Sequence, residues 1–200
     1  MRDSAGEVQT LLSCVILNNG MKYLLRAATL ADEATLRDLI ARSIRSLGLA
    51  DYTPAQIEAA LLGAFGLDTA LVRDGTYFAA VTELGEIVGC GGWSRRKTLF
   101  GSDAHGDRDD AWLDPVSNPA KIRAFFIDPL HVRRGLGRMI LERSEGEAAR
   151  AGFSAFELMA TLPGIRLYEK CGYVPAAPIR YPLPGSLDIT FVPMTKKLVC

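Results

Sequence analysis

The stretch Phe125-Phe126-Ile127-Asp128-Pro129-Leu130-His131-Val132-Arg133-Arg134-Gly135-Leu136-Gly137-Arg138 constrains this chain more than any other. An apolar run stops at Asp128-Pro129, a short basic loop follows, and Gly135 and Gly137 open a long helical pattern. Strand, loop and helix in that order make an anion site. The first backbone N–H groups of a helix have no partner inside it and point at whatever lies in front. The helix dipole favours negative charge there, by roughly 0.3–1 kcal/mol for an exposed group. Glycine lets a ligand approach the backbone where a Cβ would intrude. Arg133, Arg134 and Arg138 add positive charge around the mouth. The stretch therefore reads as a pyrophosphate cradle.

Three phosphate-binding patterns compete for it. The P-loop needs Lys and then Ser or Thr after its last glycine, and Arg138-Met139 stands there instead. The dinucleotide fingerprint needs a third glycine where Ile140 lies, and repeated βα units upstream that are not seen. The third pattern, Gln/Arg-x-x-Gly-x-Gly/Ala, is the acetyl-CoA loop of the GNAT superfamily of N-acetyltransferases, and this stretch resembles it. The glycines match at Gly135 and Gly137, while Val132 stands where Gln or Arg is usual. A glycine-flanked helix start with ordinary surface arginines is the competing reading.

A chain of 200 residues suits one domain with a sizeable core. Its formal net charge of zero gives no reason to expect nucleic acid or an anionic membrane as a partner. The four cysteines, at 14, 90, 171 and 200, lie far apart, and there are only two histidines. That spacing argues against a zinc site or a disulfide scaffold and fits a reducing, cytoplasmic setting. No apolar run approaches the roughly 20 residues of a membrane span.

Residues 1–20 read as an N-terminal extension, with 21–200 as a single domain. The apolar run Leu11–Leu17 is short, lacks a cleavage pattern and does not read as a signal peptide; an edge strand or packed helix is the alternative, and Met21 is a candidate start. From there the expected elements follow in order. They are a strand over Tyr23–Arg26, an amphipathic helix over Ala31–Leu47, and a second helix capped by Thr53 with Pro54 in its first turn. A hairpin follows over Tyr77–Val81 and Ile87–Trp93. Lys97–Ala120 reads as a solvated loop; its aspartates around His105 lack the spacing of a calcium loop, and its length marks a candidate lid or binding loop. Lys121–Ile127 is the central strand, Gly135–Ala151 a helix closed by Gly152, and Phe153–Met159 a parallel return strand. Leu162-Pro163-Gly164 opens a short helix. A strand at Tyr173-Val174, a proline-rich turn region from Pro175 to Pro184, and a last strand over Leu187–Met194 complete the chain. Pro193 is expected at an edge or a bulge.

A second motif, Leu167-Tyr168-Glu169-Lys170-Cys171-Gly172-Tyr173, resembles the Leu/Phe-Tyr-Glu-Lys/Arg-x-Gly-Phe/Tyr run that GNAT domains carry after the glycine loop. The resemblance implies an α/β (α+β) fold: a mixed, mostly antiparallel sheet of six or seven strands, a central splayed parallel pair, and helices on both faces. It implies acetyl-CoA as cosubstrate and transfer of an acetyl group to a primary amine of a small molecule or protein. The pantetheine arm would pair with backbone groups of Phe125 and Ile127. The pyrophosphate would rest on the amides of Arg133, Arg134, Gly135, Leu136, Gly137 and Arg138. Thr161 stands where the family commonly has an asparagine that contacts the coenzyme. The family's last strands often support homodimers.

The same resemblance makes Tyr168 the general acid for the departing thiolate; a tyrosine of pKa about 10 is protonated at pH 7 and can donate. A lysine-like amine is neutral in only about one molecule in 2,500 at pH 7, so a base is needed. Glu157, Asp128 and His131 are the candidates. A metal is not expected. A non-catalytic acyl-CoA sensor or interaction module on the same fold is the alternative function.

Overall fold

A computed structural model of the chain describes residues 15–18, 20–104 and 109–198. In chain order its elements are β1 (Val15–Asn18), β2 (Met21–Ala27), α1 (Glu33–Leu47), α2 (Pro54–Ala60), α3 (Thr69–Arg73), β3 (Tyr77–Thr82) and β4 (Ile87–Ser94). Then come β5 (Ala120–Ile127), α4 (Leu136–Arg150), β6 (Ala155–Thr161), α5 (Ile165–Lys170), β7 (Val174–Pro175), β8 (Ile179–Leu183) and β9 (Leu187–Lys197). Among the described residues the nine strands form one sheet in the order β1-β2-β3-β4-β5-β6-β9, with β7 and β8 both along the outer side of β9. Every neighbouring pair is antiparallel except β5 and β6, which are parallel.

The sheet is buried because both its faces are covered. Tyr77, Ala79 and Val81 of β3 enter one core with Leu36, Leu39, Ile40 and Ile44 of α1 and Ile57 of α2. Phe78 and Ala80 turn to the other core, with Leu136, Met139, Ile140, Leu141 and Ala148 of α4. These are the period-2 and period-3.6 stripes that a strand and an amphipathic helix need to face a common core. Thr53 and Gln56 cap α2 reciprocally, so the Thr-Pro start operates as a capping box.

The sheet is wider than six or seven strands for reasons the sequence pattern hides. Val15–Asn18 folds back on β2 as an edge strand, so the N-terminal extension contributes to the sheet from Val15 onward; residues 1–14 lie outside the described residues. The proline-rich segment expected as a turn holds β8. Pro182 is tolerated there because β8 lies on the outer side of β9, where a missing N–H breaks no ladder. Pro193 pairs with Met159 of β6 on one side and has no strand partner among the described residues on the other, so it lies at a locally open edge of β9. It sits between the β9 segments paired to β8 and to β7, and its carbonyl accepts from Ala176 N–H at 2.8 Å.

Two further departures are local. The five residues of α3 are too few to show a helical period, and the helix depends on the Asp68 carboxylate accepting from Ala70 N–H. The described part of the 97–120 loop is tied down rather than lid-like. Asp103 accepts from Thr69 N–H at 2.8 Å and pairs with Arg37 at 3.0 Å, and Ser102 donates to the Gly63 carbonyl. His105 and Asp107 lie outside the described residues.

A 3-10 turn, Leu30–Asp32, precedes α1, so that helix starts later than the expected Ala31. Asp32 closes the turn by accepting from Thr29 N–H and from Arg26 in a two-pronged pair. The Arg26 hydrogen bond, chiefly, holds the Asp32 carboxyl down at about 2. A depressed carboxyl stabilises the fold above its unfolded pKa, near 3.9, and that stability is lost as pH falls through the folded value. Discounted for solvent screening, Asp32→Asn is expected to cost about 1–2 kcal/mol at pH 5. Urea unfolding of both proteins should show that difference shrinking between pH 4 and pH 2, toward the depressed value near 2.

Candidate active site

The site begins with a gap in the sheet. β5 and β6 pair only at Ala120↔Phe156 and Lys121↔Glu157, and then diverge. The divergence coincides with a bulge in β5. The register against β4 slips between Cys90 and Gly92, and Ala124 takes a left-handed φ of 57°. A bulge bends its strand and sharpens the local twist. Tyr77 holds it in place by donating its hydroxyl to the Ala124 carbonyl at 2.9 Å. Gly91 lies opposite; a Cβ there would meet the Phe125 ring at 2.8 Å. Asp128 N–H bonds Val88 on β4, so by alternation Ile127 and Phe125 turn their backbone polar groups into the gap.

The cradle closes the end of this gap. Arg133 (φ 62°) and Gly135 (φ 84°) both take left-handed backbone conformations. Such turns aim successive amides in one direction and make an anion-binding concavity. The amides from Val132 to Arg138 donate to no acceptor among the described residues, and no side chain caps α4. Gly137 also permits close packing, since a Cβ there would come within 2.9 Å of Leu167 on α5.

A cavity of about 360 Å³ connects the cradle, the open half of β5 and Tyr168. Tyr168 is 8% exposed, and burial pushes its hydroxyl pKa well above the ordinary value. Its ring packs edge-on between Phe125 and Tyr173, with centroids 6.2 and 5.8 Å away. Its hydroxyl makes no hydrogen bond among the described residues. Gly164 makes room for the ring, because a Cβ there would lie 3.2 Å from it. A smaller cavity of about 70 Å³ shares Phe65, Phe125, Phe126, Thr161 and Tyr168 with the first.

Among the residues singled out from sequence, Phe125, Ile127, His131, Arg133, Gly135, Leu136, Gly137, Arg138, Thr161 and Tyr168 all line the main cavity. Arg134 does not. Its guanidinium turns back to donate to the Tyr23 hydroxyl at 3.0 Å and to the Leu130 carbonyl, so its side chain steadies the loop, while its amide has no acceptor among the described residues. Arg138 is exposed and pairs with Glu142 one turn on. The three base candidates fare differently. Glu157 lies outside both cavities, in an ion pair with Lys121 where β5 and β6 still meet. Asp128 also lies outside; its carboxylate accepts from Leu130 N–H at 2.9 Å and pairs with Arg42 at 3.1 Å. His131 lines the cavity, with Nδ1 2.9 Å from the Tyr23 hydroxyl. Tyr52 and Phe65 also line the cavity, whereas Trp93 packs on Phe153 in the core.

Sequence reading missed Arg166 and Lys170, which line the same cavity as Arg133 and Arg138. The signal was present: two basic residues four apart on a helix share a face, with Tyr168 between them in sequence. It also missed Ser43, Ile44 and Leu47, which carry the α1 wall. Among the described residues no group of His, Cys, Asp or Glu is arranged to hold a metal ion.

Fold and site together define an α/β protein in which an uncapped helix start opens, through a gap in the sheet, onto a buried unbonded hydroxyl. Residues 41–173 match the Acetyltransferase (GNAT) family, and the chain belongs to that family. It is 28% identical over 155 residues to an IAA acetyltransferase of Azospirillum brasilense, covering 75% of this chain and 86% of that one. A GCN5-related N-acetyltransferase of Rhodopseudomonas palustris shares the fold with a TM-score of 0.65 at 20% identity, over 94% of this chain and 98% of that one. So does YncA of Salmonella typhimurium, solved with acetyl-CoA, with a TM-score of 0.59 at 16% identity over 94% and 96%. The PaiA N-acetyltransferase of Thermoplasma acidophilum, solved with coenzyme A, gives 0.58 at 14% over 88% and 98%.

Proposed function

We propose that the chain transfers the acetyl group of acetyl-CoA to a primary amine of a small molecule or protein. One observation carries this reading: the unpartnered amides from Val132 to Arg138 open into the cavity that ends at the unbonded hydroxyl of Tyr168. The diphosphate rests on those amides, with Arg133, Arg138, Arg166 and Lys170 around it. The pantetheine arm adds to β5 in the gap, bonding Phe125 and Ile127. Thr161 presents a hydroxyl that bonds nothing else among the described residues. Family membership supports acyl transfer, and two structures of the same fold were solved with coenzyme A or acetyl-CoA.

In the reaction the acceptor nitrogen attacks the thioester carbon. A β5 N–H facing the gap polarises the carbonyl oxygen, as an oxyanion hole does. The C–N bond forms, the C–S bond breaks, and the nitrogen gives its proton to solvent. Tyr168 protonates the leaving thiolate and regains a proton from water. A second reading is favoured by the engagement of Glu157 and Asp128 elsewhere: a sensor that binds the coenzyme without turnover.

Calorimetry with acetyl-CoA and thiol release across an amine panel test both. Binding together with amine-dependent thiol release is expected. Binding without release from any acceptor would leave the sensor, and absence of binding would overturn both readings.

A further inference from the structure

We infer that the acceptor is a small apolar or aromatic amine whose nitrogen is already neutral at pH 7, held against α1 with Ser43 as its hydrogen-bond partner. This narrows the acceptor of the transfer reading above and rests on it.

With the coenzyme along β5, the wall left over comes from Ser43, Ile44 and Leu47 of α1, with Tyr52 and Phe65. It is mostly apolar. The Tyr52 hydroxyl is spent, donating to the Thr190 carbonyl at 2.9 Å and accepting from Leu162 N–H at 2.8 Å. Ser43 is different. A buried helical serine ordinarily bonds back to a carbonyl one turn earlier, as Ser144 does to Ile140 at 2.8 Å. Ser43 is 4% exposed and lines the cavity, yet its hydroxyl makes no such bond among the described residues. It is the polar handle on that wall.

The charges point the same way. No Asp or Glu is among the described residues lining either cavity; the charged lining groups are Arg123, Arg133, Arg138, Arg166 and Lys170. An ammonium entering here would lose its water and meet no counter-ion, which is strongly unfavourable. No carboxylate among the described residues lining either cavity is placed to neutralise it. Glu157 and Asp128 are paired outside the cavity. His131 lines the cavity with its Nδ1 2.9 Å from the Tyr23 hydroxyl, which also accepts from Arg134. An amine of pKa near 10 would then react through about one molecule in 2,500. An arylamine or aryl hydrazine is neutral at pH 7 and needs no deprotonation before it attacks; its nitrogen loses a proton to solvent only as the C–N bond forms.

Thiol release at pH 7 from acetyl-CoA should be compared for aniline, phenylhydrazine, benzylamine and 1,4-diaminobutane. Benzylamine matches the aryl compounds in size and differs in charge. The aryl nitrogen acceptors are expected to exceed benzylamine in kcat/KM by at least about tenfold. Leu47→Glu, which places a carboxylate in the wall, should raise benzylamine relative to aniline by about tenfold. Ser43→Ala should raise the acceptor KM and leave acetyl-CoA affinity unchanged. Equal or better use of benzylamine or the diamine by the wild type overturns the inference alone. An unaltered acceptor KM in Ser43→Ala overturns the role of Ser43. No thiol release from any acceptor, with acetyl-CoA bound, overturns the transfer reading and this inference together.

Discussion

Replacing Tyr168 by Phe is expected to lower the rate of thiol release by about 100-fold, within the range of about 10²–10⁴ that a positioned proton donor contributes. Acetyl-CoA affinity should change by less than about twofold, because the cradle amides and β5 do not depend on this hydroxyl. The substitution removes one oxygen and keeps the ring that packs on Phe125 and Tyr173. Since the hydroxyl bonds no other described residue, its loss leaves no buried partner unsatisfied. Burial, the main cause, holds it protonated beyond the ordinary range. The proton that Tyr168 is to donate is therefore in place across neutral pH. Steady-state thiol release with a fixed good acceptor, beside calorimetry on the same protein, separates the two effects. Unchanged turnover would remove Tyr168 from the chemistry.

Asp68→Ala is expected to destabilise the fold by about 3–5 kcal/mol, the cost of stranding one partner of a buried ion pair. Asp68 and Arg123 have side chains 0% and 2% exposed, with Arg123 Nη1 2.8 Å from Asp68 Oδ2. Asp68 Oδ1 also accepts from Ala70 N–H at the start of α3, so the cap is lost with the charge. Arg123 further donates to the Gly101 carbonyl at 2.9 Å, which binds the 97–120 loop to β5 just before its bulge. Against a total stability of about 5–15 kcal/mol, such a loss should be plain in a urea titration. Replacing both partners together, Asp68→Leu with Arg123→Met, should recover most of it, since an apolar pair strands no charge. A loss below about 1 kcal/mol for Asp68→Ala would show that the pair contributes little.

Much of the site was legible because its chemistry is local. The cradle depends on a strand end, left-handed turns and a helix start within one short stretch, Asp128 to Arg138. Backbone amides do not change with the partners that side chains later find, which is why, with Val132 in place of Gln or Arg, these amides still have no acceptor among the described residues. Tyr168 was legible for a similar reason, as its short helix and the glycine that stops it are consecutive in the chain. The capping box of α2, Thr53 to Gln56, is local too.

What tertiary structure decided was where long side chains spend their charge. Glu157 is taken by Lys121 across the two parallel strands, Asp128 by Arg42 from α1, and Arg134 by Tyr23 from β2. The same is true of β8, whose proline-rich surroundings read as a turn until β9 offers an open side that needs few of its amides. Sequence alone determined a helix start able to hold an anion, a tyrosine placed to follow it, and the periodicity of the sheet and helices around them. Only the folded chain decided which charged groups reach the cavity, because an ion pair is chosen by proximity between residues far apart in sequence, and no local pattern records that distance.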